Sequence, residues 1–559
     1  MLADSFRFQK PTNAKPETVD GPRSAVPVIL AGPLAMPFRS LRWWTLSAWL
    51  FAIGLAAQQN DIPLQRDIYL DVERNAACRT ARIHTGLKPV IQSRADLTGV
   101  MGFRPDSARR YYWLTEVLFR RHLLQVRHKG VRLHADLLLD LQLGQDLRED
   151  TRFADTTRFH QNTRGFRIAG DLGPRFSFHT AFFENQAIYP QYLWNRTREL
   201  GVVPGQGRVK PFNGRAFDFA WAMGGVSWSP RRWLNVQLGQ GRHQVGHGYR
   251  SMLLSDASPT YPYLELSWLG WKDRLQYSTI HARLNMLKRL PTGESSESLF
   301  LWKRATFSHL SLELGRVSVG LFEATIFKSI DSSGVRPFNA LYVNPVIGVN
   351  TLVNGFDGDH KQVVGLDLRV KLTDKLHVYG QGVTDKPGRS GWQAGFRWFD
   401  VLGLDMHLQA EYNSAQPFLY MQRDALTAHT HTQQPLAHPY GANFDEVVVV
   451  LDHRIRGKVL LQAKLNLATL RTDGPDSLGG NHGSDLLLPD RASPLPDGPI
   501  ERRLTYLDLS ASYLINQMSN MRFTLGYWMR DLTPAPDHQN TGYLYAAFRM
   551  ALFNRYYDF

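Results

Sequence analysis

Apolar residues fall at every second position in the closing stretch "LYAAFRMALFNRYYDF". Leu544, Ala546, Phe548, Met550 and Leu552 share one face, while Tyr543, Tyr545, Ala547, Arg549 and Ala551 share the other. A period of two is the signature of a β-strand with one greasy face. From about residue 131 onward the pattern recurs, first as Leu133, Ala135, Leu137, Leu139, Leu141 and Leu143. Further stripes are Phe176/Phe178/Thr180/Phe182, Phe217/Phe219/Trp221/Met223, Leu234/Val236/Leu238, Leu310/Leu312/Leu314 and Val364/Leu366/Leu368/Val370/Leu372. The later ones are Met406/Leu408/Ala410/Tyr412, Val459/Leu461/Ala463/Leu465/Leu467, Leu507/Leu509/Ala511/Tyr513 and Met521/Phe523/Leu525/Tyr527/Met529. Turn-forming stretches such as "TDK" at 373–375 and "NQMSN" at 516–520 separate them. The spacing predicts about sixteen to eighteen antiparallel strands.

A secreted sandwich and a membrane barrel share this alternation. Strand ends rich in aromatics, "WLGW" at 268–271, "RWF" at 397–399 and "RYY" at 555–557, read as interfacial girdles and favour the barrel. The mean hydropathy of −0.31 does not oppose it, because a barrel's lipid-facing and lumen-facing residues average out. Charges on the polar face of the strands are nearly balanced. Arg132, Arg167, Arg175, Arg369, Lys371, Arg397, Lys464, Arg522, Arg530 and Arg549 stand against Asp136, Asp140, Asp171, Asp218, Glu265, Asp367, Asp405, Glu411 and Asp508. A lumen cross-braced by ion pairs, or closed by folded-in loops, fits that balance better than an ion-selective open pore.

The run "WWTLSAWLFAIGLAA" at 43–57 follows Arg39 and Arg42 and ends in small residues, so 36–57 reads as a secretory signal peptide. Residues 1–35 then read as a non-native upstream extension beginning before Met36. Cys78, the only cysteine, leaves no intrachain disulfide, so an exported chain must find its stability elsewhere. Net charge is +15, and +12 without residues 1–57, which hold six basic and three acidic residues. Export argues against nucleic acid as the partner of this basic chain and points to anionic lipid, lipopolysaccharide or acidic polysaccharide.

Residues 107–127 lack the period of two. Trp113, Val117, Arg121 and Leu124 make one helical stripe, which predicts one or two short amphipathic helices ahead of the first strand. The expected organisation is therefore a helical periplasmic or plug region over 58–130 and an all-β outer-membrane barrel over 131–559.

Two loops concentrate chemistry. In "LGQGRHQVGHGYRSMLLSDASPTYPYLEL" at 238–266, Arg242, His243, His247, Tyr249 and Arg250 gather donors, and Tyr261 and Tyr263 offer faces for a sugar ring. Two readings stay open: a polysaccharide-binding loop, or a loop folded inward and tied to the wall through residues such as Asp256. His243 and His247 stand four apart, but Gly246 between them and the lack of a following Glu argue against zinc. The second loop, "HTHTQQPLAHPYGANFDE" at 429–446, carries His429, His431, His438 and Asn443 with prolines that shape it; "LYVNPVIG" at 341–348 is of the same kind. No hydrolase elbow, Walker loop or dinucleotide fingerprint is present in the sequence, so neither an enzyme nor a cofactor or metal is expected.

The strings "DIPLQRDIYLDVERNA", "HTGLKPVIQSRADL", "GQGRHQVGHGYRSMLLSD", "YPYLEL", "LYVNPVIG", "QPLAHPYGANFDE" and "NRYYDF" resemble those of the capsule-assembly Wzi family. Within it they look most like the branch found in Bacteroidota, which includes RemB-type gliding-motility proteins. The resemblance spans about 58–559. It implies an outer-membrane barrel behind a small helical region, with a lectin-like role in holding capsular polysaccharide at the surface, and motility or adhesion as the alternative. The closing aromatic, Phe559, reads as an insertion signal for the barrel-assembly machinery. A passive porin is the less favoured reading.

Overall fold

A computed structural model describes residues 59–559, apart from 79–80, 104–111, 150–152, 154–156, 290–299, 332–333, 474–480, 489–497, 535–539 and 551. The expected signal peptide and upstream extension lie outside the described residues. Among those described, no helix is long and apolar enough to cross a membrane.

Eighteen antiparallel strands close into one barrel. They are β1 Val131–Asp146, β2 Phe159–Leu172, β3 Phe176–Ile188, β4 Ala216–Arg231, β5 Leu234–Gly241 and β6 Tyr261–Gly270. Next come β7 Leu275–Arg289, β8 Phe300–Glu313, β9 Val317–Lys328, β10 His360–Lys371, β11 Leu376–Lys386 and β12 Arg389–Phe399. The ring ends with β13 Met406–Ala415, β14 Phe444–Ile455, β15 Val459–Thr472, β16 Ile500–Asn516, β17 Met521–Thr533 and β18 Thr541–Met550. The seam joins β18 to β1 from Tyr543↔Asp146 to Met550↔Leu139, so no long edge remains open.

One end of the barrel carries short turns such as 232–233, 314–316 and 456–458, and the other carries long connections such as 189–215, 329–359 and 416–443. Arg456 and Gly457 both take positive φ, as a tight hairpin turn requires. In outer-membrane barrels short turns are periplasmic and long loops extracellular.

The lipid face is the expected one on most strands, with Leu137, Leu141, Leu143, Leu238, Leu366, Leu461, Leu509, Leu525 and Leu544 exposed. In water so much exposed leucine would be an aggregation surface; in a bilayer it is the solvent-matched face. Trp228, Trp233, Trp268, Trp271, Trp398 and Tyr513 ring the short-turn end as a girdle, with two of the three predicted clusters in it.

The structure corrects four expectations. The stripe Phe217/Phe219/Trp221/Met223 faces the lumen, because the interior there is apolar: Phe217 and Phe219 pack with Tyr192 and Leu193, and Trp221 stacks on Phe183. Of the two alternatives for the N-terminal region, the periplasmic one falls and the plug one holds: the described residues of 59–103 fold into the barrel, with helix α1 Arg66–Asn75 inside it. The predicted helical stretch shortens to α2 Trp113–Phe119, since 124–128 is a strand paired with the start of β1. Finally, the "RYY" cluster and Phe559 are not at the membrane boundary. The last strand stops at Met550, and the closing residues turn into the lumen, where Phe559 meets the Tyr192 ring and Arg530 donates to its carbonyl oxygen at 2.8 Å. In the folded barrel Phe559 therefore lies inside the lumen and not on the lipid face.

Three bodies fill the lumen. At the short-turn end, α1 is held by Arg66–Asp452 (2.8 Å), Arg522–Asp67 (2.6 Å) and Arg454–Asp71 (3.0 Å). From the loop end, residues 242–258 descend and pair Gln244–Val245 with Leu87–Lys88 of the N-terminal segment. Met252, Leu253 and Leu254 are fully buried against wall residues Ile280, Phe307, Ala324 and Val383. The closing segment is the third, tied by Asn554 and Tyr556 to Asp256 (3.0 and 2.8 Å).

Candidate functional site

The first chemical loop is turned inward onto the protein itself. Arg242 donates to the Asp256 carbonyl at 2.9 Å, and burial lowers its pKa from the usual arginine value. His243 bonds Tyr261 at 3.0 Å on β6, whereas His247 turns to Asp367 on β10 at 3.3 Å. The two imidazoles thus leave toward different strands and do not converge on one ion. Tyr261 and Tyr263 are buried beside His243, not presented to solvent.

Arg250 sits at an ionic hub. Its guanidinium meets Glu446 at 2.9 Å and Asp558 at 3.2 Å, and Lys464 reaches Asp558 at 3.1 Å. His438 bonds the second Glu446 oxygen at 2.6 Å, and Tyr249 donates from its hydroxyl to Asp558 at 3.3 Å. Arg250, Glu446, Asp558 and His438 are all buried. Burial is the largest influence on His438 and pushes its pKa down, although Glu446 opposes the shift. The hub joins both chemical loops, the closing segment and the wall, so it acts as a brace.

Open space lies above it. At the loop end a cavity of about 530 Å³ is bounded by helix α3 Gln191–Leu200, the 433–443 and 484–487 segments, the upper ends of β15–β17, and Phe559. Its floor is aromatic: Tyr192, Tyr440, Tyr556 and Phe559. Asn195, Arg196, Glu199, Asn443, Asp485 and Arg502 supply polar groups around it. Asn443 takes a positive φ and donates to the His482 carbonyl at 3.0 Å, fixing the shape of its loop. Among the described residues Arg196 forms a salt bridge with Glu199 at 3.3 Å, both side chains partly exposed, an arrangement that costs little to exchange for a ligand. Asp485 has its pKa raised by desolvation.

Of the residues the sequence singled out for the two chemical loops, Asn443 lines this cavity, and Phe559, singled out for insertion, lines it too. Of those it missed, Tyr192, Asn195 and Arg196 sit together on α3, and Arg502 lies at the start of β16. One local signal was available: "YPQYLWNRTRELG" breaks the period of two, starts after Pro190 and ends on Gly201 in the left-handed region, which marks a helix inside a loop.

A second cavity of about 260 Å³ lies lower, between α1, the closing segment and β14–β18. It is lined by Arg66, Arg397, Lys464, Arg522 and Arg549 opposite Asp67, Asp405, Asp452 and Asp508, and Tyr556 lines both spaces.

Closed ring, lipid-facing leucine band and girdle define an outer-membrane β-barrel with a filled lumen. No family model matches the chain, and no curated protein does. Among solved structures it is similar to Wzi, an outer-membrane protein involved in group 1 capsule assembly in Escherichia coli and described as a carbohydrate-binding β-barrel. The TM-score is 0.52 at 12% identity, over 89% of this chain and all (100%) of that one. Lesser likenesses are to Pseudomonas aeruginosa OprD (TM-score 0.38, 10% identity, 74% of this chain and 94% of that) and OpdK with vanillate (0.43, 7%, 75% and 98%). The likeness to Wzi is one of fold.

Proposed function

We propose that the chain is a noncatalytic outer-membrane barrel that holds a surface polysaccharide, of the capsular class, in the cavity at its extracellular mouth. The observation that carries this reading is an aromatic-floored, polar-rimmed space of about 530 Å³ set directly above a braced plug. Stacking on aromatic faces with a few oriented polar groups is how proteins retain sugar rings, and a plug beneath the site favours retention over passage. The fold shared with a carbohydrate-binding barrel supports the same reading.

The test is equilibrium binding of the purified barrel to capsular polysaccharide from its own host, with a neutral glucan as control. Arg196→Ala/Arg502→Ala is expected to weaken saturable binding at least tenfold while the barrel keeps its heat-modifiable gel mobility. Binding unaffected by the double substitution would remove the mouth cavity as the site. If the host strain lacking the protein keeps its capsule and loses gliding, the polysaccharide role gives way to motility.

A further inference from the structure

Strands β7–β10 break the barrel's polarity rule without breaking its register. Near the short turns their outer faces are apolar, as in Leu310 and Leu312 on β8, Val319 and Leu321 on β9, and Leu366 and Leu368 on β10. Farther up, the same outer parity carries Thr279, His281 and Arg283 on β7, Arg304, Thr306 and Ser308 on β8, and Glu323 and Thr325 on β9. Their inner parity is correspondingly apolar, with Ile280, Leu284, Phe307, Ala324 and Ile326 in the core.

A strap over 336–354, from the 329–359 connection, lies flat on this polar wall. Glu323 accepts from the Gly348 and Thr351 amides (2.7 and 2.9 Å), the Thr351 hydroxyl (2.6 Å) and Gln362 (2.8 Å). Thr306 donates to the Tyr342 carbonyl at 2.9 Å, and Tyr277 donates to that of Pro345. The strap's own outside is apolar, with Phe338, Val346, Leu352 and Val353 all more than half exposed, Leu352 at 86%. It satisfies the polar wall with backbone and side-chain partners and presents a greasy surface in its place.

At the upper margin of the strap, Arg283 and Arg304 are register partners on adjacent strands, both on the outer face. Like charges directly opposite repel, and among the described residues neither meets a carboxylate. Elsewhere the wall is arranged otherwise. Outward Arg164 faces Glu184, and the lumenal pair Arg522–Arg549 reaches Asp67 and Asp140. Both Arg283 and Arg304 lie over the Trp302 ring, at 4.8 and 5.1 Å, and Arg304 also over Phe338 at 5.2 Å. The rings hold the guanidiniums in place and leave their donors free.

Their height is telling. Arg304 is nine residues along β8 from Glu313, which places it roughly 23 Å up the barrel at ~3.3 Å per residue and ~40° tilt. The apolar band of such barrels is about 25 Å tall, so the pair sits at the headgroup level of the outer leaflet.

We propose that Arg283 and Arg304, with Trp302 and the apolar strap, bind a phosphorylated glycolipid of the outer leaflet, of the lipid A class. The guanidinium forks take a phosphate monoester and the acyl chains lie along Phe338, Val346, Leu352 and Val353. Charge complementarity and the adjoining apolar strap select a lipid over a soluble anion.

The experiment is native mass spectrometry of the full chain in dodecyl maltoside. It is offered bisphosphorylated lipid A, a phosphate-free glycolipid, or lipid A with equimolar inorganic phosphate. One retained lipid A per barrel is expected, falling at least tenfold in Arg283→Ala/Arg304→Ala and partly kept in Arg283→Lys/Arg304→Lys. Both arginines are unpaired at the surface, so unchanged heat-modifiable mobility of the alanine variant serves as the folding control. Equal retention of lipid A by parent and alanine variant, or of the phosphate-free glycolipid by the parent, overturns the site. Displacement by equimolar inorganic phosphate overturns the lipid assignment and leaves a soluble phosphate as ligand.

Discussion

The Arg250 hub and the mouth cavity are built from the same residue types, arginine, tyrosine, asparagine and carboxylate, a short distance apart in the barrel. In the hub each charge has its counter-charge: Arg250 with Glu446 and Asp558, Lys464 with Asp558, His438 with Glu446. Around the cavity the polar groups are partly exposed and Arg196 forms a salt bridge with a neighbour on its own helix turn. Composition therefore does not separate the brace from the open cavity; burial and the pairing of each charge do. A buried, charge-paired hub is closed to a ligand by its own counter-charges and has much to lose when one member is removed.

The largest effect should come from emptying the hub. Arg250→Ala leaves Glu446 and Asp558 buried with part of their countercharge gone, a change that costs about 3–5 kcal/mol when a buried pair is broken. The expected result is a clear fall in the unfolding temperature in detergent, with Arg196→Ala/Arg502→Ala staying within ~0.5 kcal/mol of the parent as surface changes do. Equal destabilisation by both sets of substitutions would erase the distinction between brace and site.

A different effect, read as conductance and not as stability, is expected from removing residues 552–559. They supply Asp558 to the hub and Phe559 and Tyr556 to the cavity, and Tyr556 lines both the upper and the lower space. The truncated barrel should still insert, because the seam between β18 and β1 ends before them at Met550. It should show steady conductance in planar bilayers where the full chain shows little. Failure to insert would instead return the closing aromatic to a role in assembly.

Much of this architecture was written in the alternation, and the exceptions are physical. The lipid face of most strands was readable because lipid accepts only apolar residues, and so was the lumenal charge balance, as when Arg549 stands in register with Asp140. The Phe217–Met223 stripe pointed the other way because an apolar plug makes the lumen as greasy as the membrane, and a period of two cannot say which greasy side is which. The same ambiguity hides the inversion along β7–β10. Only a partner distant in sequence, the strap or α3, resolves it. "NRYYDF" looked interfacial for the same reason: tyrosines suit any place with an apolar body and a polar tip, and here that place is the plug.

The mildest test of the comparison uses pH, because His429 and His431 on the inward-folded 416–443 connection are buried. Burial lowers His429 to about 3 and His431 to about 4, with Lys303 adding to both shifts. Leu253 and Thr260 carbonyls sit at 3.1 and 3.2 Å from their Nε2 atoms, and Lys361 also faces His429. An opened loop would protonate near 6.5, so it binds more protons than the docked one at any pH between about 4 and 6.5. Docking is therefore favoured above pH 6.5 and weakens progressively as pH falls below it. Hydrogen exchange over 416–443, corrected for intrinsic rates, should lose at least tenfold protection between pH 7 and pH 5, and His429→Gln/His431→Gln should flatten that dependence. α3 at the mouth has no histidine, so its protection should change far less over the same range. Parallel loss in α3 would show that the whole loop end opens as one body and that the plug is not held separately from the site.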